Sequence, residues 1–187
     1  MWEDFRRFWY RVCNCLPGEM RCPNGIIRLH TLLTATVFDD KGNFVWEESV
    51  KDRKITNQFV NLLVDKMQTT DTDAGKYLQN FKYHYCGSGT DAENATDTGL
   101  IAGTTETGYV VGSQTESTDG ANYYKSIATV TITTTSTGLD IKEHGLFNTT
   151  SSTSGIMMDR TLFTTLPSVQ TGWNIQFTFE ASFTAGG

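Results

Sequence analysis

The sequence has little charge, little proline and no long apolar run. Charged residues make up 19% of its 187 residues, apolar residues only 38%, and three residues are prolines. A membrane-spanning helix needs 18 or more consecutive apolar residues, and no stretch approaches that length. The isoelectric point lies near 5.0, and no stripe of clustered lysine and arginine is present to bind phosphates. We therefore expect neither a membrane nor a nucleic acid as a partner.

The charge that is present is unevenly distributed. Residues 71–120 hold eight acidic residues against two lysines, so this segment alone supplies −6, the net charge of the whole chain. The first thirty residues lean the other way, with five arginines against three acidic residues. The N-terminus carries Glu3 and Asp4 and has no apolar h-region, so we expect no secretory signal and synthesis in a reducing cytoplasm.

Neutral polar residues and glycine make up much of the rest of the composition. The sequence holds 30 threonines and 17 glycines. Threonine is β-branched and suits a pleated, half-wet surface, while glycine serves turns. This composition favours a mainly β protein.

Alternating apolar and polar residues predict several antiparallel strands. The clearest is 173–183, where six apolar residues occupy one face and five polar residues the other. A hairpin is predicted around the polar cluster 39–43. Short strands at regular spacing with turns between them are typical of an antiparallel β-sandwich. The remaining predicted strands are 26–38, 78–86, 122–135, 139–147 and 156–164.

Two segments follow a helical period instead. Ile55, Phe59, Leu62, Leu63 and Met67 predict one internal helix at about 55–68. Near the N-terminus, residues 2–13 predict a short amphipathic helix whose apolar stripe must pack on its own domain or on a neighbouring chain. The stripe contains four aromatic residues, which we interpret as assembly contacts: Trp2, Phe5, Phe8 and Trp9.

The domain organisation follows from these elements. We expect an N-terminal aromatic arm at 1–25 and a single β-sandwich domain at 26–187. Residues 87–120 are mostly Gly, Ser, Thr, Asp and Glu and predict a long polar loop, which is unusual in a compact domain. It is either a surface excursion with a short strand near 108–113 or a contact segment that a partner orders.

Three of the four cysteines, Cys13, Cys15 and Cys22, lie within ten residues of one another. Their spacing matches no common zinc module, so we expect free thiols and no metal. They remain weak metal candidates, in a site that Cys86, His30 or His84 would complete. We expect no other cofactor.

Recognisable catalytic motifs are missing from the sequence. His30, His84 and His144 lie in no HExxH or GxSxG pattern, and the first two are expected to be structural residues of strands. The Gly87-Ser88-Gly89-Thr90 segment lacks the lysine of a phosphate-binding loop and predicts a turn. We therefore assign no catalytic or cofactor-binding residue, and expect the chain not to be an enzyme.

Six short pieces occur in order along residues 54–184. They are Lys54-Ile55-Thr56-Asn57, Cys86-Gly87-Ser88-Gly89-Thr90, Asp97-Thr98-Gly99-Leu100, Glu106, Ile141-Lys142-Glu143-His144-Gly145-Leu146-Phe147 and Asp159-Arg160-Thr161-Leu162-Phe163. As an ordered set they resemble small structural proteins of bacteriophage particles, of the tail-fibre-like, minor structural or head-decoration type. Those proteins have a "G-x-G-T" segment after a strand and an "I-T-E-x-G-L-F" strand. Residues 1–53 lie outside the resemblance.

The resemblance implies a non-enzymatic component of the virion that is assembled in the host cytoplasm and attached in multiple copies to the particle surface. Head decoration or cement is preferred over a tail or fibre position. The expected partners are other virion proteins, meaning capsid or tail subunits, and copies of the chain itself. The alternative is a receptor- or glycan-binding adhesin module at a phage appendage, with Tyr109, Tyr123 and Tyr124 available to stack on sugars.

Overall fold

The structure is a computed structural model. It describes residues 19–22, 25–66, 78–104, 107–117, 122–133, 138–150, 155–164 and 166–186. Within these ranges the chain is mainly β, with two antiparallel sheets and one α-helix. The predicted fold class is thus confirmed.

Strands, the α-helix and one 3-10 turn alternate along the described ranges. In chain order they are β1 (Glu19–Cys22), β2 (Gly25–Phe38), β3 (Phe44–Lys51), β4 (Lys54–Ile55), α1 (Asn57–Lys66), the 3-10 turn (Leu78–Asn80), β5 (Tyr83–Gly87), β6 (Val110–Val111), β7 (Ser113–Ser117), β8 (Asn122–Thr131), β9 (Glu143–Phe147), β10 (Met157–Leu162) and β11 (Asn174–Gly186).

The larger sheet is built around β2 and β11, which pair along almost their whole length, from Asn174 opposite Phe38 to Gly186 opposite Ile26. On the other side of β11 follow β8 and then β7. The remaining edge of β2 is shared by two strands. β1 pairs with residues 25–28 and β3 pairs with residues 32–38.

The smaller sheet has the order β4-β10-β9-β5-β6. Its inward side chains and those of the larger sheet form one apolar core, to which β2, β8 and β11 contribute from one side. Of the six apolar residues that the sequence placed on one face of β11, the four central ones are buried, whereas Trp173 is half-buried and Phe183 is 39% exposed. The buried four are Ile175, Phe177, Phe179 and Ala181. The alternation is therefore a sound guide to the core face of this strand.

The chain crosses from the smaller sheet to the larger one at Gly112. β6, just before it, pairs with β5, and β7, just after it, pairs with β8. A Cβ atom at Gly112 would lie 2.3 Å from the hydroxyl oxygen of Ser126 and 2.8 Å from Nε2 of His84. Only glycine fits at this crossing, because side chains of both sheets lie directly against its backbone.

The internal helix begins later than predicted. It begins at Asn57 rather than Ile55, because Thr56 caps it: the Thr56 hydroxyl accepts the Phe59 backbone N–H at 3.2 Å. Ile55 belongs to β4, where it pairs with Asp159. Phe59 and Leu62 face the core as expected. The end of the predicted helix, residues 67–68, lies outside the described residues.

The strand predicted at 78–86 differs from the structure in its extent. Its first part forms the 3-10 turn, and β5 starts only at Tyr83. His84 and Cys86 point into the core, whereas Tyr83 and Tyr85 are only half-buried. The sequence does not show which side of this strand faces inward, because apolarity alone cannot show that a histidine has buried hydrogen-bond partners.

The predicted helix at 2–13 lies outside the described residues. β1, however, falls inside the segment 1–25 that the sequence assigned to an arm, and it forms a hairpin with β2. The last part of this segment thus joins the larger sheet. Among the described helices, none has the length and apolarity that a membrane crossing requires.

Substitutions along β11 test its one-sided burial. Phe177→Ala or Phe179→Ala should each reduce the free energy of unfolding by about 3–5 kcal/mol, because a buried ring is lost and a cavity remains. Thr178→Ala, on the half-buried opposite face, should cost less than about 1 kcal/mol. Urea unfolding of the three variants gives the comparison, and equal losses at the three positions would contradict it.

Candidate functional site: two buried polar networks and an apolar groove

A buried carboxylate organises the smaller sheet. Glu143 on β9 is fully buried and accepts four hydrogen bonds. Its Oε1 accepts the backbone N–H groups of Gly89 at 3.1 Å and Ala102 at 2.7 Å. Its Oε2 accepts the backbone N–H of Ile101 at 3.2 Å and Nε of Arg160 at 2.8 Å. The charge is thus balanced by a cation and by three backbone dipoles.

Arg160 on β10 extends the network into the loop that follows β5. Its Nη1 contacts the Asp97 carboxylate at 3.0 Å, and its Nη2 donates to the backbone carbonyl of Asp91 at 3.0 Å. The guanidinium is buried, so it holds these groups in one planar arrangement. A fork of this kind fixes a loop more firmly than a lysine would.

Residues 88–104, the first part of the predicted polar loop, are therefore held by their own domain. Besides the Glu143 and Arg160 contacts, Glu93 accepts the backbone N–H of Leu162 at 2.6 Å, and the carbonyl of Ala95 accepts the N–H of Asn57 at 2.7 Å. Farther along, β6 and β7 form near the place where a short strand was expected.

A second polar network connects the two sheets. His84 on β5 contacts the Ser126 hydroxyl of β8 through Nε2 at 2.8 Å, and His144 of β9 through Nδ1 at 3.0 Å. Phe177 of β11 covers the pair, with its ring centroid 4.7 Å from that of His144. The prediction that His84 is a structural residue of a strand is confirmed by its burial and its two hydrogen bonds. His30 lies in β2, as expected, and contacts Asp52 at the surface.

The order serine–histidine–histidine resembles the hydrogen-bonding pattern of nucleophilic catalysis. Here, however, Ser126, His84 and His144 are all buried, so a substrate cannot approach the hydroxyl in this structure. Burial lowers the pKa of His84 to about 3 and that of His144 well below its usual value. Both rings are thus neutral at pH 7, and their arrangement joins the sheets.

Asp159 on β10 is a buried acid without a cation beside it among the described residues. Its Oδ2 accepts the hydroxyl of Thr161 at 3.0 Å, while Oδ1 has no hydrogen-bond partner within the described part of the chain. Burial raises the pKa of Asp159 to about 7, and the nearby Glu93 adds to that rise. This carboxyl therefore gains its proton near neutral pH.

The groups named as completing a zinc site do not come together. The Cys86 thiol is buried against the Thr107 hydroxyl at 3.3 Å, and burial raises its pKa to about 12. His84 uses both ring nitrogens in the network between the sheets, and His30 lies at the surface. Within the described residues, no group of three potential metal ligands is found.

An apolar groove of about 530 Å³ opens at the end of the core nearest β1. Leu29, Ala181 and Phe183, from β2 and β11, form the wall on the larger sheet. Phe59 and Leu63 of α1 form the facing wall. Among the described residues, this end of the larger sheet is faced by α1 and by Met158 of β10, and the groove lies between these elements and the sheet.

The rim of the groove combines apolar and neutral polar groups. Leu78 and Phe183 are 44% and 39% exposed. Gln114 donates to the hydroxyl of Tyr124 at 2.8 Å, and that hydroxyl donates to the carbonyl of Phe81. These polar groups are satisfied internally, so the groove presents mainly apolar surface to an occupant.

The residues that the sequence assigned to sites lie mostly outside the described ranges. These are the assembly contacts Trp2, Phe5, Phe8 and Trp9 and the metal candidates Cys13 and Cys15. Cys22 lies in β1. The predictions of assembly contacts, of free thiols and of a chain without metal or cofactor therefore remain predictions.

Sequence reasoning missed both networks and the groove. Glu143 and Arg160 stand in strands whose pattern gives no sign of burial, and the loop partners of Glu143 lie more than 40 residues away from it. The one available signal was the glycine-rich segment after β5, which packs against Glu143: a Cβ at Gly89 would lie 2.4 Å from Oε1. A glycine at such a position can indicate a close approach as well as a turn.

Comparison of the chain with protein-family models, with curated proteins and with solved structures gave no match.

The buried ion pair gives a test of the first network. Glu143→Gln should reduce the free energy of unfolding by about 3–5 kcal/mol, because it leaves Arg160 buried without its partner and turns an amide N–H toward donors. Lys125→Ala, which removes the partly exposed pair with Glu180, should cost less than about 1 kcal/mol. Equal losses in denaturant unfolding would show that Glu143 has no special role.

Asp159 predicts a stability that depends on pH. Its folded pKa of about 7 exceeds the usual unfolded value near 3.9, so its stabilising contribution is complete below about pH 4 and is lost as the pH rises to 7. Relative to Asp159→Asn, the wild-type chain should lose up to about 4 kcal/mol over that window. Unfolding curves of both proteins from pH 4 to 8 measure the difference. Parallel pH profiles would contradict the prediction, and Asp140→Asn, at an exposed position, serves as control.

Proposed function

We propose that the chain is a non-enzymatic structural component of a bacteriophage particle, attached in multiple copies to the virion surface. A head-decoration or cement position is preferred over a tail or fibre position. Its partners would be capsid or tail subunits and further copies of itself. Support comes from the ordered resemblance in residues 54–184 together with what the residues of those pieces do in the fold.

One observation carries the proposal: the pieces that resemble virion proteins meet in one buried network. Gly89, Asp97, Glu143 and Arg160 come from four separate pieces, and they are joined through the Glu143 carboxylate and the Arg160 guanidinium. Their shared role is to hold a loop on a sheet. These motifs therefore have a structural role, which is consistent with a protein that builds a particle.

The closed hydrogen-bond network between the sheets supports the non-enzymatic part of the proposal. A catalytic serine must be reached by its substrate, and its histidine must accept a proton near neutral pH. Ser126 is buried, and burial lowers the pKa of His84 to about 3. A rigid inter-sheet link is the function that this geometry favours.

The aromatic arm is the proposed attachment element. Trp2, Phe5, Phe8 and Trp9 are too apolar to remain in water as a group, and they precede the sheet that begins with β1. In a symmetric particle each such contact is repeated in every copy, so a modest contact suffices for attachment.

The alternative function is a receptor- or glycan-binding adhesin module at a phage appendage. It is favoured by the half-buried rings of Tyr85 and Tyr109, which stack at 4.3 Å between centroids and meet Phe147 edge-on. Aromatic rings of this kind can stack on sugars. One face of Tyr109 is already covered by Tyr85, and the Tyr124 hydroxyl is hydrogen-bonded within the chain, so this candidate stands second.

Deletion of residues 1–18, which spares β1, tests the function. We expect a folded chain, because the described apolar core is formed by residues between Leu29 and Ala181, and we expect it to be missing from purified particles. Circular dichroism and quantitative mass spectrometry of particles made with either form measure the two effects.

The wild-type chain should be found at a high copy number for a surface component and at a few copies for a tip adhesin. Its absence from particles would contradict both functions. Incorporation of the deleted chain at the wild-type level would show that the arm is not the attachment element.

A further inference from the structure

We propose that the apolar groove is the docking site for residues 2–13 of a second copy of this chain. The contact would run from the arm of one copy to the groove of the next. This inference rests on the proposed function, which requires a contact between copies, and it names the surface that receives the arm.

The groove lies close to the place where the arm joins the sheet. β1 pairs with β2 so that Glu19 lies opposite Arg28, and the next residue of β2, Leu29, lines the groove. β3 occupies the same edge of β2 from Leu32 onward. Glu19 therefore lies at the groove end of the larger sheet, and it is there that residues 2–13 are connected to each copy.

The chemistry of the two surfaces matches. The predicted helix 2–13 offers a stripe of aromatic residues, and the groove offers aliphatic and aromatic walls with two exposed side chains, Leu78 and Phe183. A space of about 530 Å³ lies within the usual range of binding sites and accommodates a few large side chains. An amphipathic helix in an apolar groove is a common mode of peptide recognition.

Charge also favours the arm as the occupant. The first 18 residues hold three arginines against two acidic residues, so they are basic in a chain of net charge −6. The described residues that line the groove include one carboxylate, Glu116, and neither lysine nor arginine. The arm is thus the part of a neighbouring copy that this acidic chain repels least.

Residues 67–77 are the competing segment by position, because they connect α1 to Leu78 at the rim. Their sequence is Met-Gln-Thr-Thr-Asp-Thr-Asp-Ala-Gly-Lys-Tyr, in which only Met67 and Tyr77 are large and apolar. Such a segment cannot supply the apolar stripe that the groove needs. Because arm and groove are different surfaces, the contact is head-to-tail, and it closes into a ring or continues along a particle surface.

Photo-cross-linking of the full chain tests the contact. The photoreactive residue p-benzoylphenylalanine replaces Phe5, and ¹⁴N-labelled and ¹⁵N-labelled copies are mixed while dilute, concentrated and irradiated. We expect cross-linked peptide pairs that join an arm of one isotope to groove residues near Leu78 or Phe183 of the other. Pairs found only within one isotope would show docking in the same chain and overturn the proposal. Cross-links that avoid the groove, or no cross-links, would also overturn it.

Matched variants measure the strength of the same contact. Phe183→Ser and Leu78→Ser alter exposed groove residues and should weaken self-association by about tenfold or more, as measured by sedimentation equilibrium. Phe44→Ser is the control, because Phe44 is 63% exposed and lies outside the groove. Equal weakening by all three would overturn the proposal, and an unfolded variant is recognised by circular dichroism and replaced by the other groove variant.

The experiments distinguish failure of the groove contact from failure of the virion function. Mixed-isotope cross-links in a protein that is absent from particles would support the groove contact and overturn the virion function. A chain abundant in particles whose cross-links avoid the groove would support the virion function and overturn the contact.

Discussion

The Glu143 carboxylate lies in the interior of the smaller sheet, where an uncompensated charge would cost several kcal/mol. It is compensated by Arg160 and by three backbone N–H groups that the loop 88–104 must bring to it. The loop conformation follows from this requirement. So does the glycine at position 89, because a Cβ there would collide with the carboxylate. The buried charge of Glu143 thus accounts for the conformation of the loop and for the glycine at position 89.

The two polar networks have different roles. The network around Glu143 and Arg160 fastens a loop to the smaller sheet, while the contact of His84 with Ser126 joins the smaller sheet to the larger one. The histidine network is satisfied except at Nδ1 of His144, which has no hydrogen-bond partner among the described residues. Both networks favour one arrangement, since a slip would leave further buried groups without partners. Among the described residues, neither network reaches the β1 end, where apolar side chains line the facing walls. The polar networks thus fix the arrangement of the loop and the two sheets, whereas the groove lies where the facing walls are apolar.

The sequence predicts those elements whose apolar residues follow a single period, either that of a strand or that of a helix. β11 alternates without interruption, so its core face follows from its sequence, and the stripe Phe59, Leu62, Leu63 likewise identifies α1. The facing of β5 does not follow from its sequence, because its inward residues include a histidine, which is buried through hydrogen bonds instead of apolarity. The Glu143 network escapes prediction because periodicity carries no information on partners distant in sequence. The groove escapes it because its walls come from separate elements. The aromatic arm, whose residues the sequence assigned to assembly contacts, lies outside the described residues.

The distribution of charge bears on how copies can approach one another. Two acidic residues of the segment 71–120 are engaged within the chain: Asp97 contacts Arg160, and Glu93 lies 3.7 Å from Arg53. Repulsion between copies is further limited by salt, since the screening length is about 8 Å at physiological ionic strength. An apolar contact at short range can therefore outweigh the net charge of −6. In the proposed arm-to-groove contact both surfaces are present in every copy, so such a contact would repeat without a second protein.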